Sequence, residues 1–123
     1  MSRVLVLDTE AWRASALSGL PGLALPTVSH IDDPHQIDAL TGPLAAAVIV
    51  MRDPLQIYLS AVRQLKSRRD PPPVLAIFAS GELAADYALM AALAEGADAV
   101  LYCPHSEIEL VAAVQAMLSP GST

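Results

Sequence analysis

Side chains able to do chemistry are sparse in this sequence, and several of them directly follow strand-like runs. Asp8 ends the run Arg3 to Leu7, with Thr9 and Glu10 behind it. A magnesium-type cation needs several hard oxygen ligands in near-octahedral geometry, and Asp8 with Glu10 is a thin supply. A carboxylate at a strand end also caps a following helix or bonds nearby backbone amides, and that is the role expected of Asp8. Asp53 stands directly before Pro54, which casts it as a helix cap rather than a covalent acceptor. Cys103 is the only cysteine, so an internal disulfide and a cysteine-based zinc site are excluded. A nucleophilic thiol needs a base or a helix N-terminus beside it. His105, two residues on, is expected to point elsewhere, leaving Cys103 an inert, partly buried thiol. His30, His35 and His105 lack a metal-ligand spacing and are read as surface or loop residues. Asp8-Thr9-Glu10-Ala11 holds no glycine, against a nucleotide-binding loop, and no Gly-x-Ser-x-Gly elbow occurs. No catalytic residue, metal or cofactor is assigned, and the chain is not expected to be an enzyme.

The elements that must position these groups alternate. Arg3 to Leu7 reads as a buried strand, Glu10 to Leu20 as a helix ended by Gly19, Pro21 and Gly22, and Leu25 to Ile31 as a weaker strand. Asp33-Pro34 signals a short helix to about Leu40, stopped by Gly42. Ala45 to Met51 is apolar throughout, as a central parallel strand covered on both faces must be. Asp53-Pro54 repeats the cap-then-proline signature, with Pro54 at the first helical position. Leu55, Leu59, Val62 and Leu65 follow at helical spacing. Val74 to Phe78 is the fourth strand, and Ser80 caps an alanine-rich helix to Glu95 with Gly96 at its C′ position. Ala99 to Tyr102 is the fifth strand, and Ser106 with Glu109 forms a capping box for a helix through Leu118. Five strands alternating with five helices predict an α/β fold: a doubly wound, flavodoxin-like parallel sheet. Its expected strand order is 2-1-3-4-5.

Composition narrows the class. The 123 residues are 54% apolar and 16% charged, enough for one filled core and too apolar for disorder. The longest apolar run, Ala45 to Met51, falls far short of the roughly 20 residues that span a bilayer. No signal-peptide pattern opens the chain, so a cytoplasmic location and no membrane partner are expected. Net charge is −6, and the basic residues cluster only at Arg63, Lys66, Arg68 and Arg69, as at a solvated helix end. Such a domain is a poor nucleic-acid binder.

The segment Gly96-Ala97-Asp98-Ala99-Val100-Leu101-Tyr102-Cys103-Pro104 resembles the receiver-domain stretch Gly-Ala-Asp-Asp-Tyr-Leu-x-Lys-Pro. Arg3 to Glu10 resembles the receiver opening, and Val48 to Leu65 lies on the third strand and following helix without a gap, anchored on Pro54. Pro73 to Glu82 resembles the fourth strand and its loop, whereas Gly19 to Gly42 carries almost no similarity. The chain is thus similar to response-regulator receiver domains (the CheY-like superfamily of bacterial two-component systems), over residues 1–118. Residues 119–123 are read as a tail or the start of a linker.

In that family an acidic pair holds magnesium, an aspartate ending the third strand accepts a phosphoryl group, and a hydroxyl and a lysine contact it. Laid on this sequence, one acid is Asp8 and its partner is Thr9. The acceptor is Val50, or Met51 if the register slips by one. The hydroxyl position is Phe78, with Ser80 two residues away, and the lysine position is Cys103. The resemblance therefore implies a degenerate pocket and a pseudo-receiver that signals without phosphorylation, through protein contacts. It also implies an interaction face drawn from Leu83, Tyr87, Met90, Tyr102 and His105. That face would serve a partner protein, an attached output domain or a second copy. A small-ligand module, with Val50, Met51, Phe78 and Cys103 lining an apolar pocket at the switch point, is the alternative. A cysteine-dependent enzyme is a weaker third.

Overall fold

The computed structural model describes residues 3–18, 27–52, 54–78, 85–103 and 105–118. Its strands are β1 (Arg3–Leu7), β2 (Thr27–Ile31), β3 (Leu44–Met51), β4 (Val74–Phe78) and β5 (Ala99–Tyr102). They form one sheet in the order β2-β1-β3-β4-β5, parallel at every junction. The helices are α1 (Trp12–Ser18), α2 (Leu55–Lys66), α3 (Ala85–Glu95) and α4 (Glu107–Leu118). The expected doubly wound architecture and strand order are both present.

The apolar strands sort by the two-residue period of an extended chain. Leu5, Leu7, Ile49, Met51, Ala76 and Phe78 face α2 and α3, where Leu59, Val62, Leu65 and Ala92 meet them. Val4, Val6, Val48, Val50, Leu75 and Ile77 face the other way, onto Ala14 and Leu17 of α1 and Leu110, Val114 and Met117 of α4. Each such Leu, Val or Ile side chain, once fully buried, contributes roughly 1.5–3 kcal/mol through removal of apolar surface from water. Two apolar layers, one per sheet face, therefore hold the domain, and with a single cysteine no internal disulfide contributes.

Several local expectations change. The first helix starts at Trp12 rather than Glu10, because Glu10 N–H is drawn back to the Asp8 carboxylate at 3.0 Å. The segment after Asp33 is a 3₁₀ helix, Pro34–Ala39, with the capping box that Asp33 and Gln36 provide. Pro54 is the N-cap of α2 and not its first helical residue: its ψ of 129° is extended and it carries no side-chain cap. The roles assigned to Asp53, Ser80 and Leu83, the helix end at Gly19, Pro21 and Gly22, and the expected strand start at Leu25 lie outside the described residues. The Ser106–Glu109 capping box is formed as expected, with reciprocal bonds of 3.1 and 3.2 Å.

The basic group at the end of α2 is not merely solvated. Lys66 Nζ bonds Asp98 Oδ2 at 2.9 Å, Arg63 pairs with Glu95, and Arg68 Nη2 donates to the Leu40 carbonyl at 3.0 Å. Asp98 in turn accepts the Val74 N–H at 2.8 Å, closing the start of β4. Gly96 adopts φ of +113°, and a Cβ there would stand 2.8 Å from Lys66 Cγ. The Gly-Ala-Asp element is thus a splice joining α3, α2 and two strands; it does architecture rather than chemistry.

Candidate functional site

In a doubly wound sheet, ligands gather beyond the carboxyl ends of the strands. At that edge the two-residue period carries Asp8 onto the α1–α4 face, following Val4 and Val6. There its side chain is fully buried beside Arg13 of α1, whose side chain is 4% exposed. Arg13 lies on the inward side of α1 with Ala14 and Leu17, so the fold drives its guanidinium into the domain.

The guanidinium is well used. Arg13 Nη1 donates to Asp8 Oδ2 at 2.9 Å, Nη2 reaches Cys103 Sγ at 3.3 Å, and Nε donates to His105 Nε2 at 3.1 Å. Because guanidinium only donates, His105 Nε2 must accept, and its Nδ1 proton goes to the Ser106 carbonyl at 3.1 Å. The Trp12 ring packs 5.4 Å from the His105 ring and 4.5 Å from the Arg13 guanidinium carbon. Asp8 Oδ1 accepts the Glu10 N–H, and its backbone carbonyl contacts His30 Nε2 at 2.8 Å. A second guanidinium closes the cluster: Arg52 Nη2 lies 3.2 Å from Glu10 Oε1 and 3.7 Å from Asp8 Oδ1. Two buried or half-buried cations thus face two carboxylates. Such burial is tolerable because each charge meets an opposite one, although Arg52 Nε is buried without a hydrogen-bond partner among the described residues.

The structure joins some of the sequence-assigned residues and separates others. Asp8 and Cys103 come together, bridged by Arg13. Thr9 is exposed. Val50 packs on the α1–α4 side that Asp8 shares, whereas Met51 and Phe78 pack in the opposite layer. Val50, Met51 and Phe78 are all at most 5% exposed. Cys103 packs against the layer that holds Val50, so the four residues assigned to a ligand pocket are divided between the two faces of the sheet. His105, assigned to the interaction face, is half-buried, and its Nε2 meets Arg13 Nε in the site. Tyr87, Met90 and Tyr102 are exposed, and Ile108 of α4, absent from the assigned set, is the most exposed large apolar residue among the described residues at 80%. Tyr102 also stacks on Phe78, with ring centroids 5.6 Å apart.

Sequence reasoning missed Arg13, Arg52 and Trp12. The available signal was an arginine on the apolar side of the first helix, five residues after a strand-ending aspartate. A charge in that place must find a partner.

The donor set does not fit a magnesium ion. Both Asp8 oxygens are engaged by protein donors, Val50 and Met51 offer no side-chain oxygen, and two guanidiniums stand within 4 Å of the carboxylate. Among the described residues no three His, Cys, Asp or Glu side chains are grouped to hold a metal.

The fold is that of response-regulator receiver domains. The receiver domain of a signal transduction histidine kinase from Syntrophus aciditrophicus superposes with a TM-score of 0.73 at 20% identity, covering 99% of this chain and 93% of its own. The receiver of an HD domain-containing protein from Pseudomonas fluorescens Pf-5 gives 0.79 at 17% identity, covering 97% and 88%. A sensor histidine kinase receiver from Pseudomonas aeruginosa PAO1, solved with magnesium in its active-site cleft, gives 0.72 at 19%, covering 95% and 97%. No family model and no curated protein matches the sequence. Among the described residues no helix is long and apolar enough to cross a membrane.

Proposed function

We propose that this chain is a pseudo-receiver: a non-enzymatic, cytoplasmic signalling or scaffolding domain that works through protein contacts without accepting a phosphoryl group. The observation that carries the reading is the state of the strand ends. Phosphoryl transfer to a protein needs a nucleophilic oxygen, a metal and a cation placed to spread developing charge. Here β3 ends in the buried apolar pair Val50 and Met51, and Asp8 is bound to Arg13. Phe78 and Cys103 stand where the receiver pattern has a hydroxyl and a lysine.

The contact surface proposed is the α3–β5–α4 side, where Tyr87, Met90, Tyr102 and Ile108 are 62%, 69%, 44% and 80% exposed. Apolar side chains grouped on a surface favour a protein partner, whether an attached output domain or a second copy. The net charge of −6 disfavours nucleic acid as the partner of this domain.

Incubation with acetyl phosphate and magnesium, followed by intact-mass measurement, tests the reading. The expected result is an unchanged mass. A stable phosphoryl adduct on Asp8 or Asp53 would overturn it.

A further inference from the structure

The cluster at the sheet edge is charge-balanced by its own side chains. Asp8 and Glu10 supply the negative charge, and Arg13 and Arg52 supply the positive. Arg13 Nη1 reaches both carboxylates, at 2.9 Å to Asp8 and 3.9 Å to Glu10. Arg52 Nη2 also reaches both, at 3.7 and 3.2 Å. Two cations each shared between the same two carboxylates is the arrangement a single divalent ion would otherwise provide.

We propose that Arg13 and Arg52 are resident replacements for a divalent cation, shutting the site to metal in the native chain. Removing their charge should create a metal requirement. The physical reason lies with Asp8. Its side chain is fully buried, so its charge cannot go uncompensated without a large desolvation cost. A bound metal would meet that need reversibly. A guanidinium meets it permanently, because it neither dissociates from the chain nor loses its proton in a protein. Entry of a divalent ion would require Asp8 to leave Arg13, and Arg52, whose Nη2 lies 3.7 Å from Asp8 Oδ1, would then repel the ion. Arg13 also spans to Cys103 on the far side of the site, so the carboxylate and the β5 edge are tied by one side chain. The inference takes its location from the pseudo-receiver reading and its substance from this charge arrangement.

Trp12, the only tryptophan, makes the test direct, since its ring packs against His105 and Arg13. The full chain and the Arg13→Met/Arg52→Met variant are titrated with MgCl2 and MnCl2, using NaCl at matched ionic strength as control. Trp12 emission and melting temperature are followed. In the native chain neither metal shifts the melting temperature, and Mn²⁺ gives no saturable quenching of Trp12. The variant melts lower without metal and regains stability with saturable dependence, by roughly 5 °C at a tenfold excess over Kd. Saturable Mn²⁺ quenching of the native chain overturns the proposal, and so does a folded variant indifferent to metal. If the variant does not fold alone, refolding on millimolar Mn²⁺ supports the proposal and failure to refold overturns it. Metal binding by the native chain without a phosphoryl adduct would sink this inference and leave the pseudo-receiver reading standing. An adduct would sink that reading.

Discussion

Asp8 and Arg13 meet at 2.9 Å across the junction of β1 and α1, with side chains 0% and 4% exposed. Removing one partner of a buried pair strands the other charge, which costs about 3–5 kcal/mol. Asp8→Asn and Arg13→Met should each lower the unfolding free energy by an amount in that range, seen as a lower urea midpoint at constant slope. The Asp8→Asn/Arg13→Met double variant should lose much less than the sum, because no uncompensated charge remains. Additive losses would show that the two groups do not depend on one another.

Two glycines separate conformational from steric cost. Gly42 has φ of +87° and a Cβ there would meet only Arg3 Nη2, at an ordinary 4.0 Å, whereas Gly96 has φ of +113° and Lys66 Cγ only 2.8 Å from that point. Gly42→Ala should cost about 1–2 kcal/mol for the left-handed backbone alone. Gly96→Ala should cost clearly more, because Lys66 cannot retreat without releasing Asp98. Thermal melts of the two variants compare them directly; equal losses would remove Lys66 from the explanation.

Partner-facing residues should be dispensable for folding. Met90→Ser and Ile108→Ser alter side chains 69% and 80% exposed, and each should change stability by no more than about 0.5 kcal/mol. Tyr102→Ala should cost about 0.5–1.5 kcal/mol through its stacking on Phe78. If this surface binds a partner or a second copy, sedimentation of the Met90→Ser/Ile108→Ser chain will show the loss while its melt stays near native.

The Asp33 carboxyl titrates below the ordinary aspartate value, held there first by the His35 backbone N–H and then by the His35 side chain. A folded-state value depressed below the unfolded one contributes stability above the unfolded value. That stability is lost as pH falls through the folded value. NMR titration of Asp33 should therefore place its midpoint below that of a free aspartate, and Asp33→Ala should shrink the difference in stability between neutral and strongly acid pH. A midpoint at or above the ordinary value would contradict the capping geometry.

Fold and site were legible to different depths because they use different signals. The apolar runs Leu44–Met51 and Val74–Phe78 announce buried parallel strands by composition alone, since covering on both faces removes polar alternation. The capping box at Ser106 and Glu109 is likewise local. The site is not local: Arg13 finds Asp8 five residues away but Cys103 and His105 at separations of 90 and 92. No spacing rule joins residues so distant, and a single arginine in a helix resembles any surface charge until the inward face of that helix is known. His105, expected to point away from Cys103, finds its partner on the first helix instead, and Arg13 there is what links the two.

Those same separations bear on how the domain is made. Asp8 and Arg13 can pair as soon as the first strand and helix leave the ribosome. The acceptors on Cys103 and His105 arrive only with the fifth strand and the residues after it, at separations of 90 and 92 from Arg13. Long loops of this kind close late and slowly. Until then Nε and Nη2 of Arg13 must be satisfied by water, and the half-made domain holds an arginine on a surface that becomes interior only with the final strand. Closure of the β5 edge over that arginine is thus expected to be a late step in folding of the domain, and truncations ending before Cys103 should stall as compact, incompletely packed species.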